Sequence, residues 1–232
     1  MRKKIGIGRL GAHKMIQKNL IVIGGNSRLV NNFLTKESNL TYKNVFLLSH
    51  RKKENKDNFN IIDCIDPLNI LNVINDLLNV SSYNFDVIIS NTPPQCACFL
   101  KEETMDWALI SIKLMNSFSF NDRIERVVYT GSCLALIPFY HNSIYKALKC
   151  MELTSFIGLK FNRFEKNRYV ILPPMYEGMK SSNLKFIFIN DTFSNGAKLI
   201  SKAIGNDKMI IFPFGLLGVI CKMLFYLRYR NL

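Results

Sequence analysis

Acidic residues are scarce in this chain. Its 232 residues hold 17 Asp and Glu against 31 Lys and Arg, a formal net charge of +14. Histidine is rarer still. His13, His50 and His141 share no ligand spacing, so no metal site is expected. Of the six cysteines (Cys64, Cys96, Cys98, Cys133, Cys150 and Cys221), only Cys96-Ala97-Cys98 are close together, and that is neither a CxxC nor a zinc-ribbon spacing. A chain long enough to bury a real core does not need disulfides, so reduced thiols in a cytoplasmic protein are expected. A secretory signal would need an apolar stretch of about 7–15 residues, which Arg9, His13 and Lys14 interrupt. What is plentiful is apolar: 48% of residues are hydrophobic and 21% charged, which excludes a disordered polyelectrolyte. A mean hydropathy of +0.07 is high for a chain this basic.

The apolar residues fall into short runs. Asn19–Gly24, Val45–Ser49, Asn60–Asp63, Phe85–Ser90, Arg126–Thr130 and Arg168–Leu172 read as strands without polar alternation. Between them, Leu29 to Leu34, a stretch opened by Pro67, Met105–Phe118 and Asn142–Lys160 carry helical spacing. Wholly apolar strands alternating with helices predict an α/β fold with a doubly wound parallel sheet, covered on both faces. Ligands of such sheets sit at the carboxyl ends of the strands. Residues 19–212 are expected to form this one domain, after a basic, disordered leader over 1–18 and before an apolar-basic tail over 213–232.

Three places carry chemistry. The first strand runs into Gly24, Gly25, Asn26 and Ser27, a turn whose amides can cradle a pyrophosphate at a helix N-terminus. Arg28 and Val30 stand where the full glycine fingerprint has further glycines, and Leu29 lies between them. The second strand ends without a ribose-binding acid. Arg51, just beyond it, suits a 2′-phosphate and favours NADP(H), with NAD(H) second. The third place is the strongest. Ser132 ends the fifth strand, and Tyr145 and Lys149 share one face of the next helix at i, i+4. A carbonyl accepting hydride needs its oxygen polarised and protonated. A tyrosine with a reference pKa near 10 does this at neutral pH only with a cation such as a lysine ammonium beside it. A serine hydroxyl supplies a second hydrogen bond to that oxygen.

With these residues in place, residues 19–212 resemble the short-chain dehydrogenases/reductases, which have a Rossmann fold. The resemblance implies that Asp63 meets the adenine and that Asn91, Thr92 and Pro93 lie along the cofactor. It further implies Tyr145 as acid/base, Ser132 as carbonyl orienter, and Lys149 on the nicotinamide ribose. Pro173, Pro174, Met175 and Tyr176 would flank the nicotinamide, and a substrate lid would follow to Asp191. The chain departs from the family at the two missing glycines and at Asn91-Thr92-Pro93. It also lacks a clear asparagine on the preceding helix, where Ser111 and Asn116 are the candidates.

The tail from Met209 is uncharged to Cys221. Lys222, Arg228 and Arg230 then punctuate it. Pro213, two glycines and Lys222 argue against a clean span of about 20 residues. Two readings remain: an interfacial segment on an anionic membrane, and a last strand plus a helix on the core or at a dimer contact. The expected function is an NAD(P)H-dependent carbonyl reductase or alcohol dehydrogenase. Its small-molecule substrate would be a sugar nucleotide or lipid-linked sugar of polysaccharide biosynthesis. The alternatives are a sugar-nucleotide epimerase or dehydratase, and a non-catalytic dinucleotide sensor or scaffold. Nucleic acid is not an expected partner, because the basic residues form no stripe.

Overall fold

The computed structural model describes residues 18–24, 28–36, 42–49, 59–63, 69–90, 102–136, 143–160, 165–173 and 192–230. The elements follow in the order β1 (Lys18–Ile23), α1 (Arg28–Lys36), β2 (Tyr42–Ser49), β3 (Asn60–Asp63), α2 (Ile70–Val80), β4 (Phe85–Ile89) and α3 (Glu102–Ser119). Then come β5 (Ile124–Ser132), a 3-10 turn at Cys133–Ala135, α4 (Ser143–Lys160), β6 (Asn167–Leu172), α5 (Thr192–Gly205), β7 (Ile210–Ile211) and α6 (Gly215–Tyr229). All strand pairs are parallel, in the order β3-β2-β1-β4-β5-β6-β7. The order reverses between β1 and β4. This is the topological switch point at which a doubly wound sheet opens its ligand crevice.

Helices cover both faces. On one, Leu29, Val30 and Phe33 of α1 and Ala197, Leu199, Ile200 and Ala203 of α5 pack on Leu20, Val22, Ile88, Val128 and Val170. On the other, α2, α3, α4 and α6 cover Ile21, Ile23, Val87, Val127, Tyr129 and Tyr169. Alternate residues of each central strand thus enter opposite cores, which is why those strands show no polar alternation.

The six expected strands are present, and four begin earlier than expected: β1 at Lys18, β2 at Tyr42, β5 at Ile124 and β6 at Asn167. Lys18, expected in the leader, is the first residue of β1. A seventh strand, β7, pairs with Tyr169 and Val170 of β6. It precedes α6, which lays Leu217 and Cys221 on the core. This segment therefore forms a last strand and a packed helix. No helix among the described residues is long and apolar enough to cross a membrane. Helix α5 was not expected from the sequence, although Ala197, Ile200, Ala203 and Ile204 carry a helical period.

Candidate active site

At the first turn, the chain leaves β1 through Gly24, whose φ of 83° is open to glycine and strained for other residues. Its N–H donates to the Leu48 carbonyl at 3.0 Å, and Ser90 N–H donates to the Ile23 carbonyl at 2.9 Å. These bonds hold the ends of β1, β2 and β4 level. Helix α1 begins four residues after Gly24, with exposed Arg28 at its start and no acid in its first turn. An anion at that terminus would meet the positive end of the helix dipole and a guanidinium. Leu29 is buried in the core, so only its backbone can serve a ligand. Asp63 closes β3 opposite Ser49, the last residue of β2. Pro173, half-buried, follows the end of β6.

Ser132 is the last residue of β5, in register with Leu172. Its Oγ accepts from Leu134 N–H at 3.2 Å, capping the 3-10 turn and fixing the hydroxyl at the strand end. Just before it, Gly131 is set by close packing. A Cβ there would stand 2.2 Å from the hydroxyl oxygen of fully buried Tyr169. The turn after Ser132 is braced from two sides. Cys150 of α4 donates its thiol to the Ala135 carbonyl at 3.2 Å, and Arg228 of α6 donates Nη1 to the same oxygen at 2.8 Å.

Tyr145 and Lys149 both lie on α4, one turn apart. Lys149 is 2% exposed, and its Nζ donates to Oε2 of Glu152 at 2.7 Å, which is also buried. Burial pushes the Glu152 carboxyl above the ordinary range, and the Lys149 ammonium opposes that shift. The lysine is therefore a buried cation held by a carboxylate three residues further on. Sequence reasoning singled out Lys149 and missed Glu152, although the i, i+3 spacing was there to be seen. Of the two asparagine substitutes on α3, Ser111 is buried and Asn116 is exposed.

The structure thus brings Gly24, Arg28, Asp63, Ser132, Lys149 and Pro173 to elements that meet along the carboxyl edge of the sheet. Gly25, Asn26, Ser27, Arg51, Asn91, Thr92, Pro93, Pro174, Met175 and Tyr176 lie outside the described residues, as do the side chains of Asp63 and Tyr145. Among the described residues no group of His, Cys, Asp and Glu could hold a metal ion.

No protein-family model matches the chain, and no curated protein matches it. Solved structures do. The chain is similar to a short-chain dehydrogenase from Burkholderia cenocepacia in complex with NADP, over 93% of this chain and 96% of that one, at 13% identity and a TM-score of 0.66. It is also similar to the bulky-bulky ketone specific alcohol dehydrogenase from Comamonas testosteroni, over 91% and 92%, at 13% identity and a TM-score of 0.62. A third likeness is to glucuronic acid dehydrogenase from Chromohalobacter salexigens, over 86% and 77%, at 14% identity and a TM-score of 0.59. The fold is therefore the Rossmann-type fold of the short-chain dehydrogenases/reductases, present over almost the whole chain.

Proposed function

We propose that the protein is a divergent short-chain dehydrogenase/reductase that uses NADP(H) to interconvert a carbonyl and an alcohol. The observation that carries this reading is Ser132 capping the end of β5, with the helix bearing Tyr145 and Lys149 fastened to the very next turn through Cys150 and Ala135. The solved structures that share the fold include dehydrogenases, one of them in complex with NADP.

The described residues fit a dinucleotide. Gly24 gives the tight turn, and the start of α1 is acid-free and carries Arg28, which suits a pyrophosphate. The last residue of β2 is Ser49 rather than a carboxylate that would repel a 2′-phosphate, and Arg51 follows in the sequence. When bound, the nicotinamide supplies or takes the hydride. The chain's own residues do the rest. Ser132 orients the carbonyl oxygen, and Tyr145 donates its proton to that oxygen as the hydride arrives at carbon. Lys149 keeps positive charge near Tyr145 and so favours tyrosinate as the proton leaves. Glu152 holds that ammonium in place and keeps its burial tolerable.

The substrate we favour is a sugar nucleotide or lipid-linked sugar. Glucuronic acid dehydrogenase, with the same fold, acts on a sugar acid by its name. A Tyr145→Phe variant should bind NADPH as the parent does and lose turnover by about 10²-fold or more, the contribution of one acid/base group. Calorimetry and NADPH oxidation measure the two quantities. Unchanged turnover would overturn the mechanism. Failure of the parent to bind either NADPH or NADH would turn the assignment to a non-catalytic scaffold.

A further inference from the structure

Helix α6 has two apolar faces, and among the described residues only one is packed against the core. Leu217, Gly218 and Cys221 are buried, and Leu224, Phe225 and Tyr229 pack against the same core. On the other side, Leu216, Val219, Met223 and Tyr226 recur at spacings of three and four, with Leu227 beside them. They are between 57% and 68% exposed, and Phe214 precedes them at 39%. Most of the exposed large hydrophobic residues among the described ones lie on this segment. At 100° per residue the stripe covers about a third of the helix circumference.

Cations frame it. Lys222 Nζ lies 6.0 Å from the Tyr226 ring centroid, Lys202 Nζ lies 5.5 Å from the Phe214 ring centroid, and Arg230 is exposed one turn beyond Tyr226. No Asp or Glu follows Asp207 in the sequence. We propose that α6 docks the protein on an anionic lipid surface, with the Leu216–Leu227 stripe entering the acyl boundary and Lys202, Lys222 and Arg230 meeting headgroup phosphates.

The charge selects this occupant over a second copy of the chain. Pairing the stripe with itself would bring Lys222 and Arg230 against the same cations, with no carboxylate on the helix to neutralise them. A lipid phosphate layer supplies that neutralisation and the apolar boundary together. The helix is too short and too interrupted to cross the bilayer, so the attachment is parallel to the surface. Arg228 takes no part, since it is turned to the Ala135 carbonyl.

The test is flotation of the full chain with vesicles of phosphatidylglycerol and phosphatidylcholine, against vesicles of phosphatidylcholine alone. The parent should float with the anionic vesicles and bind the neutral ones at least about tenfold more weakly. Met223→Asp should abolish flotation without changing the thermal midpoint, because the side chain is exposed. The pair Lys222→Glu and Arg230→Glu, which leaves the stripe intact, should also abolish it. Absence of flotation, equal flotation with both vesicle types, or a dimer in sedimentation that Met223→Asp converts to monomer would each overturn the proposal. None of these outcomes depends on dehydrogenase activity.

Discussion

Lys149 and Glu152 form an ion pair that is almost wholly shut from water. Each charge offsets part of the other's cost of burial. Removing one partner takes the facing opposite charge from a buried one, at a cost of about 3–5 kcal/mol. Glu152→Ala should lower unfolding stability by that amount in urea titration. Replacing both residues with apolar ones of similar size should return much of it, at the expense of whatever Lys149 does for Tyr145. The positions of the candidate residues on their elements were legible in the sequence at this scale wherever they are local. Ser132 at a strand end and Tyr145 four residues before Lys149 follow from periodicity alone. The carboxylate that fixes the lysine was as local, but one Glu on a helix looks like any other until its burial is known. The brace on Ala135 was not legible, because its donors, Cys150 and Arg228, come from 15 and 93 residues away.

At the level of elements, the apolar strands announced themselves, because burial on both faces removes the polar alternation that would blur their limits. Helix α5 did not. Its apolar residues are interleaved with Ser194, Asn195, Lys198 and Lys202, and it follows a stretch with no strong punctuation. Helix α6 was ambiguous for the opposite reason: it is apolar nearly all round, so its sequence cannot say which side is inside. The structure assigns Leu217 to the core and Met223 to the outside. Leu217→Ala should therefore cost about 2–5 kcal/mol through the cavity it leaves. Met223→Ala should stay within about 0.5 kcal/mol, as surface substitutions do. Denaturant midpoints of the two variants, measured side by side, check the assignment. A lower midpoint for Met223→Ala than for Leu217→Ala would mean that α6 sits on the core with the other face.

Over the whole molecule, the carboxyl edge of the sheet carries the candidate site and the opposite edge is a polar structural network. There Tyr42 donates its hydroxyl to Oδ2 of Asp86 at 3.0 Å, and Lys18 pairs with Asp86 and with Glu125. Burial raises the Asp86 carboxyl above its ordinary value, against the pull of Lys18 and the Tyr42 hydrogen bond. The folded state therefore binds that proton more tightly than the unfolded chain. This contribution to stability is full in acid, below the unfolded value, and is lost as pH rises through the folded one. Asp86→Asn removes the titration while keeping an acceptor for Tyr42, so the variant should lose less stability than the parent between about pH 4 and pH 7. Urea midpoints at the two ends of that range measure it. The basic excess that opened the sequence has no single home on this scale. Arg28 stands at the first turn, Lys149 within α4, Arg168 in the sheet and Lys222 on the outer helix.

The double grip on the Ala135 carbonyl has a consequence in time. The turn that follows Ser132 and the Arg228 guanidinium that secures it are separated by 93 residues of chain. At ribosomal speeds of about 5–20 residues per second, the serine leaves the synthesis machinery roughly 5–20 s before its clasp is made. Throughout that interval the turn has no Arg228 clasp, and of the two braces on the Ala135 carbonyl only the Cys150 thiol of α4 can be in place.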